Sequence, residues 1–412
     1  MADRLKLAVL GGSSVASPQL VEVLARRTDR PPMQVTLIGR AAAKLDRVAA
    51  VCTHLAEQAH VPLAVNATID PARGLEGSRY VLNQVRVGGY DARARDETFP
   101  HAFDLPGEET VGPGGLANAL RTIPVVMDYC HLIEKLAPES LLINLTNPNS
   151  FIQYAALTYT RVAAVGVCDS PIGLAQSVAR LLGAPMEEVW VGYVGMHHSG
   201  WVTQVRWKGR EMMPEVLARL ESLPGLPVEA DLLRAIGAIP ASYLKYFYHP
   251  RRMLEAQRGS APRAEQLGRL EARILADYED ARLQHIPPSL EQRGAHWYQD
   301  IVVPVLLAHV NNSRSTFVLN LANGSVVPWL PPQAIVELPA VVTAHGFYPL
   351  QPASAPPEVQ AMLRMNAAME MLWVEAVVEG SREKGLRAMI LNPLVQDLDQ
   401  ARGILDRIWP AK

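Results

Sequence analysis

Residues 5–27 read LKLAVLGGSSVASPQLVEVLARR, and this stretch decides the fold. Leu5 to Leu10 is a short apolar run of the kind that makes a buried strand. Gly11-Gly12-Ser13-Ser14 follows as a turn. Ser17-Pro18 then opens a stretch of helical apolar spacing to about Arg27, with Ser read at the N-cap and Pro at the first helical position. A strand, a glycine turn and a helix in that order suit a dinucleotide pyrophosphate. Small residues let the backbone approach it, and the helix start offers free N–H groups and a partial positive charge. The turn departs from G-x-G-x-x-G, because Ser13 and Ser14 follow the paired glycines. Read alone, it fits a plain tight turn equally well.

Further along, residues 34–38 read as a second strand, 41–58 as a second helix, and 61–68 and 79–85 as further strands. This alternation is the sign of a doubly wound parallel sheet. The second strand ends Leu37-Ile38-Gly39-Arg40. An NAD site usually carries Asp or Glu there to accept from the ribose 2′-hydroxyl. Gly39-Arg40 instead leaves room for an added phosphate and offers a cation, so NADP is expected to be tolerated or preferred. The alternative is that Arg40 is a solvated surface residue.

The segment 88–115, GGYDARARDETFPHAFDLPGEETVGPGG, is rich in Gly, Pro and charge and reads as a long irregular connection. Helix resumes over 116–136. Strands at 139–145 and 162–167 end at Thr146-Asn147-Pro148 and at Cys168-Asp169-Ser170-Pro171, each followed by a helix. From about 189 the pattern turns to strands. Residues 227–285 read as mostly helical, 286–294 as a polar loop, 297–312 as helix, 315–345 as strands and turns, and 355–412 as helix. The expected architecture is α/β: a Rossmann-like dinucleotide-binding domain over 1–190 and a mixed α+β domain over 191–412 for substrate, metal and oligomer contacts.

Composition narrows the function. With 39 Lys+Arg against 41 Asp+Glu in 412 residues, the chain lacks the basic excess of a nucleic-acid binder. Apolar residues make up 49%, enough for a core and against disorder. Cys52, Cys130 and Cys168 are too few and too scattered for a disulfide framework and suit a reducing cytoplasm. The N-terminus lacks a signal-peptide pattern, and no apolar run approaches about 18 residues, so no membrane span is expected.

Several stretches carry a resemblance. They are Gly11 to Ser14 with Pro18, Gln84-Val85-Arg86-Val87-Gly88, Asp91-Ala92-Arg93 with Arg95-Asp96-Glu97, and Gly107-Glu108-Glu109-Thr110 with Gly112, Gly114 and Gly115. Further matches are Ala119 to Pro124, Asn144 to Pro148, Gly166 to Gly173, Gly195-Met196-His197-His198, Tyr243 to Tyr248, and Asn320 with Asn323-Gly324. In these the sequence resembles glycoside hydrolase family 4, NAD- and divalent-metal-dependent glycosidases that depart from the two-carboxylate mechanism. The family includes 6-phospho-α- and 6-phospho-β-glucosidases and galacturonidases. The likeness spans nearly the whole chain, densest from 84 to 173.

The resemblance implies roles for particular residues. Cys168 and His198 match the family's ligands to a divalent ion, usually Mn²⁺, although by themselves they read as a buried small hydrophobe and a core histidine. Tyr243 matches the catalytic base; without the likeness it joins Tyr246 and Tyr248 in core packing. A phenol is a poor base near neutral pH, so a nearby metal and cation are expected to lower its pKa. Asp169 matches the acid for the leaving oxygen in phospho-α-glucosidases, and is also placed to cap the helix after it. Arg263 matches an arginine close to the tyrosine in some β-acting members. Arg93, Glu109 and Asn147 match substrate contacts. Two departures stand out: His197 where many members have Asn, and Ser13 where many have Gly.

The implied chemistry is hydride removal from C3 of a sugar, proton removal from C2 by Tyr243, loss of the aglycone from C1, addition of water, and return of the hydride. The expected substrate is a 6-phosphorylated glycoside of unassigned anomer, and a homo-oligomer (dimer or tetramer) is expected from the family. The competing readings are an NAD(P)-dependent dehydrogenase of a hydroxy acid or polyol, and a non-catalytic nucleotide or sugar sensor.

Overall fold

The computed structural model describes residues 4–223, 225–280 and 285–409. The chain opens with β1 (Leu5–Leu10), α1 (Ser17–Arg26), β2 (Met33–Ile38), α2 (Ala42–Gln58), β3 (Leu63–Thr68), α3 (Pro71–Leu75) and β4 (Tyr80–Asn83). It continues through α4 (Gly89–Thr98), α5 (Gly112–Leu136), β5 (Leu141–Asn144), α6 (Asn149–Tyr159), β6 (Ala163–Gly166) and α7 (Ser170–Leu182). These six strands are all parallel and lie side by side in the order β6-β5-β4-β1-β2-β3. That order turns back between β1 and β4, the point at which doubly wound sheets form their ligand crevice.

The sheet continues past residue 190. Strands β7 (Val189–Met196), β8 (Ser199–Trp207), β9 (Arg210–Glu211), β10 (Ile239–Pro240), β11 (Thr316–Ala322), β12 (Ile335–Thr343) and β13 (Gly346–Pro349) add an antiparallel extension beyond β6. The hairpin β11–β12 sits between β6 and β7. One row of paired residues crosses this junction: Gly166 with Asn320, Asn320 with Glu337, and Glu337 with Gly195.

Both faces of the parallel part are covered, as its continuous apolar runs require. Leu7 and Val9 of β1 pack on one face with α1, α2 and the helices Arg263–Asp277 and Val303–Val310. Ala8 and Leu10 pack on the other with α5, α6 and the helix Pro357–Glu379. Each fully buried Leu or Val on these faces contributes about 1.5–3 kcal/mol. A third cluster, around Trp201 and Tyr193, packs the extension. No helix among the described residues is long and apolar enough to cross a membrane.

The structure corrects three local expectations. Residues 88–115 are not irregular: α4, a 3₁₀ turn over Phe99–Phe103 and the start of α5 occupy most of the segment. Helix α4 has no apolar stripe to reveal it. Charged pairs hold it instead, Arg93 with Glu97 at 2.7 Å within the helix and Asp96 with Arg121 of α5 at 2.6 Å. Ser17 is not the cap of α1; Ala16 stands there, and the Ser17 hydroxyl donates to Gly12 O at 2.9 Å, tying the glycine turn to the helix. The stretch 286–294 contains a short helix, Pro288–Glu291. Positions 281–284 and 410–412, inside expected helices, lie outside the described residues.

Candidate active site

A cavity of about 550 Å³ opens over the carboxyl ends of β1, β4, β5 and β6. Gly11, Gln84 to Val87, Leu145 to Asn147 and Val167 to Asp169, the residues just past those strands, all line it. Gly11 has φ +80°, and a Cβ there would lie 2.7 Å from the Gln84 carbonyl oxygen, so only glycine makes this turn. Gly12 faces the other way, where its missing side chain lets Leu37 of β2 approach. It is buried, whereas Gly11, Ser13 and Ser14 line the cavity. Gln84 holds the turn from below, accepting from the Tyr298 hydroxyl at 2.7 Å and donating to Gly11 O at 3.3 Å. Arg40 is exposed at the cavity mouth beside Gly39 and Lys44.

Cys168, past β6, meets His197 and His198, past β7. One ligand atom from each lies within 4.8 Å of the other two. His198 has φ +62°, which turns the chain tightly between β7 and β8. Its ring is stacked on both faces, by His197 at 3.7 Å and by Tyr243 at 3.5 Å. Its Nδ1 meets the Thr110 hydroxyl at 2.8 Å, leaving Nε2 free of that contact. Thr110 in turn donates its N–H at 2.6 Å, and its hydroxyl, to Glu108.

Burial keeps both imidazoles neutral, His197 pushed down to about 3 and His198 well below its usual value. That is the form in which histidine binds a metal. Burial, with Glu337 and Asp169 adding to it, pushes the Cys168 thiol up. A divalent cation binds the thiolate, so cation binding releases this proton. One sulfur and imidazole nitrogens form a donor set that first-row divalent metals accept.

Glu109, which also lines the cavity, lies between Arg86 and Arg93, 2.8 Å from Arg93 Nη1. Burial opposes its charge, but the two guanidiniums outweigh it and hold the carboxyl below its ordinary value, with the Asn147 side chain as a further partner. Glu108, also buried and beside Glu109, is pushed up to about 7. Asp169 stands at the N-cap of α7 but makes no side-chain cap bond; it lines the cavity, and desolvation raises its carboxyl. Tyr243 lies on a 3₁₀ turn, Ser242–Leu244. Burial, then Glu108 and Cys168, push its phenol well above the usual value. Arg263 is exposed on the cavity rim and contacts Gln266 at 3.2 Å.

The structure thus gathers Gly11, Ser13, Ser14, Arg40, Arg93, Glu109, Asn147, Cys168, Asp169, His198, Tyr243 and Arg263 around one cavity, with Gly12 directly behind it. Sequence reasoning assigned no role to Arg86, Glu108 or Thr110 and treated His197 only as a departure. The adjacent acids Glu108-Glu109 in a glycine-rich segment and the tandem His197-His198 after a strand were the available signals.

Comparison with known proteins agrees with this geometry. Residues 6–184 match the model for the family 4 glycosyl hydrolases, and residues 193–395 match that for the family's C-terminal domain. A Bacillus subtilis protein described as a probable 6-phospho-β-glucosidase is 31% identical, covering 100% of this chain and 97% of its own. The 6-phospho-β-glucosidase of Escherichia coli is 27% identical over 96% of this chain and 92% of its own. The Thermotoga maritima 6-phospho-β-glucosidase shares the fold, with a TM-score of 0.88 at 23% identity over 98% of this chain and 97% of that one; it was solved with manganese, NAD⁺ and glucose-6-phosphate. This chain belongs to family 4 of the glycosyl hydrolases.

Proposed function

We propose that this protein hydrolyses 6-phosphoglucosides using NAD and a divalent cation such as Mn²⁺, and that the linkage it cleaves is β. The observation that carries the reading is the convergence of Cys168, His198 and Tyr243 beside the glycine turn of β1 in one cavity. The names of the relatives at 31% and 27% identity favour the β linkage. Asp169 directly after Cys168 is the opposing clue. The 1–190 region holds the cofactor, and 191–412 completes the sugar and metal site and supplies the contacts of a dimer or tetramer. The enzyme works in the cytoplasm, where its three free cysteines stay reduced.

When bound, NAD accepts and returns a hydride at C3, and the cation, held by Cys168 and His198, provides Lewis-acid stabilisation of the negative charge that develops. The residues of the chain do the rest. The Tyr243 phenol oxygen takes the proton from C2. Asp169 gives a proton to the oxygen leaving C1, and water then adds across C1 and C2, its hydroxyl to C1 and a solvent proton to C2. Arg93, Glu109 and Asn147 hold the sugar hydroxyls. Gly11, Ser13 and Ser14 bring backbone close to the pyrophosphate, and Arg40 stands where a 2′-phosphate would lie.

The experiment is turnover of p-nitrophenyl 6-phospho-β-glucoside and its α-anomer with NAD⁺ and Mn²⁺ in D₂O. Deuterium at C2 of the released sugar phosphate is expected. Turnover without it would remove the mechanism. Steady growth of NADH in step with substrate loss would instead identify a dehydrogenase.

A further inference from the structure

His197 is a buried imidazole with an unfilled capacity for a partner. It is 6% exposed and lines the cavity, and among the described residues no protein group hydrogen-bonds to its ring. Among the described residues its ring contact is the stack on His198. Stacking alone would be served by any flat side chain, and the ring nitrogens stand at the cavity without a protein partner among the described residues. The atom that does face it belongs to the cation site: a His197 nitrogen, the Cys168 sulfur and a His198 nitrogen all lie within 4.8 Å of one another. Donors sharing one ion through bonds of about 2.0–2.3 Å stand about 3.3–3.8 Å apart, so an ion would draw such a set together by up to about 1.5 Å, within the reach of side-chain rotation.

We propose that His197 is a third protein ligand, so that this chain holds its cation through one sulfur and two imidazole nitrogens before any sugar arrives. The inference rests on the metal-dependent reading above and extends it. At the position where the resemblance places Asn in many members, this chain carries a stronger and softer donor. Two consequences follow. The apoprotein binds a cation without sugar, and its affinity is biased from Mn²⁺ toward Co²⁺ and Zn²⁺. Three protein ligands still leave coordination positions open for sugar hydroxyl oxygens.

The test uses the full-length protein stripped of metal with a chelator and titrated with Co²⁺, without sugar. A thiolate-to-cobalt charge-transfer band is expected, and X-ray absorption of the loaded wild type should fit one sulfur and two imidazoles. His197→Asn should weaken Co²⁺ binding by about tenfold or more and reduce the fit to one imidazole while keeping the charge-transfer band. One imidazole in the wild type, or His197→Asn binding Co²⁺ as tightly as wild type, overturns the inference and leaves His197 to the sugar. Because the wild-type spectrum carries the imidazole count, a variant that misfolds does not spare the proposal. Absence of the charge-transfer band in wild type, with binding indifferent to Cys168→Ser, overturns the metal-dependent reading itself.

Discussion

The ring of Tyr243 lies flat against that of His198, centroids 3.5 Å apart and planes 8° from parallel. The stack fixes where the phenol oxygen stands relative to the cation site, and it does so through ring area alone. Tyr243→Phe keeps the stack and removes only the oxygen. Steady-state assays should show kcat falling by about 10²–10⁴-fold, the usual contribution of a positioned base. Cobalt affinity and melting temperature should stay close to wild type. A variant that retains more than a tenth of the activity would take the proton-transfer role away from Tyr243.

The Thr110 hydroxyl is the next contact outward, 2.8 Å from His198 Nδ1. Glu108 accepts that hydroxyl, so Thr110 in turn accepts from Nδ1–H and the lone pair of Nε2 is left for a metal. Thr110→Val conserves volume and removes this orientation. Divalent-cation affinity, measured by calorimetry on the apoprotein, should drop about 10–100-fold, and Thr110→Ser should recover most of it. Equal affinity in the valine variant would mean that packing alone orients the imidazole.

Arg40 is exposed at the mouth of the cavity, one residue past Gly39. If it contacts a 2′-phosphate, Arg40→Ala should weaken NADP binding by about 10–100-fold, the worth of a charged hydrogen bond. NAD binding should change by less than about twofold, since NAD lacks that phosphate. Fluorescence titration with the two reduced cofactors measures both. Parallel loss for NAD and NADP would place Arg40 on the shared part of the cofactor.

Glu370 is buried in the helix Pro357–Glu379, with Ser150 as its side-chain partner and Glu337 as the nearby acid. Burial pushes its carboxyl from an ordinary value of 4.5 up to about 8. Between these two values the folded protein keeps a proton that the unfolded chain releases, so this group lowers stability as pH rises through that range. Glu370→Gln removes the penalty. The variant should match wild type near pH 4 and melt at least about 2 °C higher at pH 8 by calorimetry. A constant difference across the range would show that the carboxyl does not keep its proton in the fold.

The parallel half of the sheet was legible because its signals are local. β1, the glycine turn and α1 are contiguous, and apolar period and turn chemistry suffice to read them. α4 was not legible, since its partners lie elsewhere: Glu97 accepts from Ala264 N at 2.8 Å, and Asp96 meets Arg121. The insertion of β11–β12 between β6 and β7 is a pairing of segments about 150 residues apart, which no periodicity encodes. At the site, Cys168, Tyr243 and Glu109 were reached through family likeness, not through spacing. His197 and Thr110 acquire meaning only from what the fold sets beside them.

The row Gly166–Asn320–Glu337–Gly195 has one last consequence. Cys168 and His197 each stand two residues past an end of this crossbeam, and Glu337 braces it by accepting from Asn320 at 2.9 Å and from Tyr193 at 3.0 Å. The spacing of the thiol and the imidazoles is therefore carried by one continuous run of paired strands that spans both halves. A change anywhere along that girder, even one remote from the thiol and the rings, would be felt as an altered gap between them.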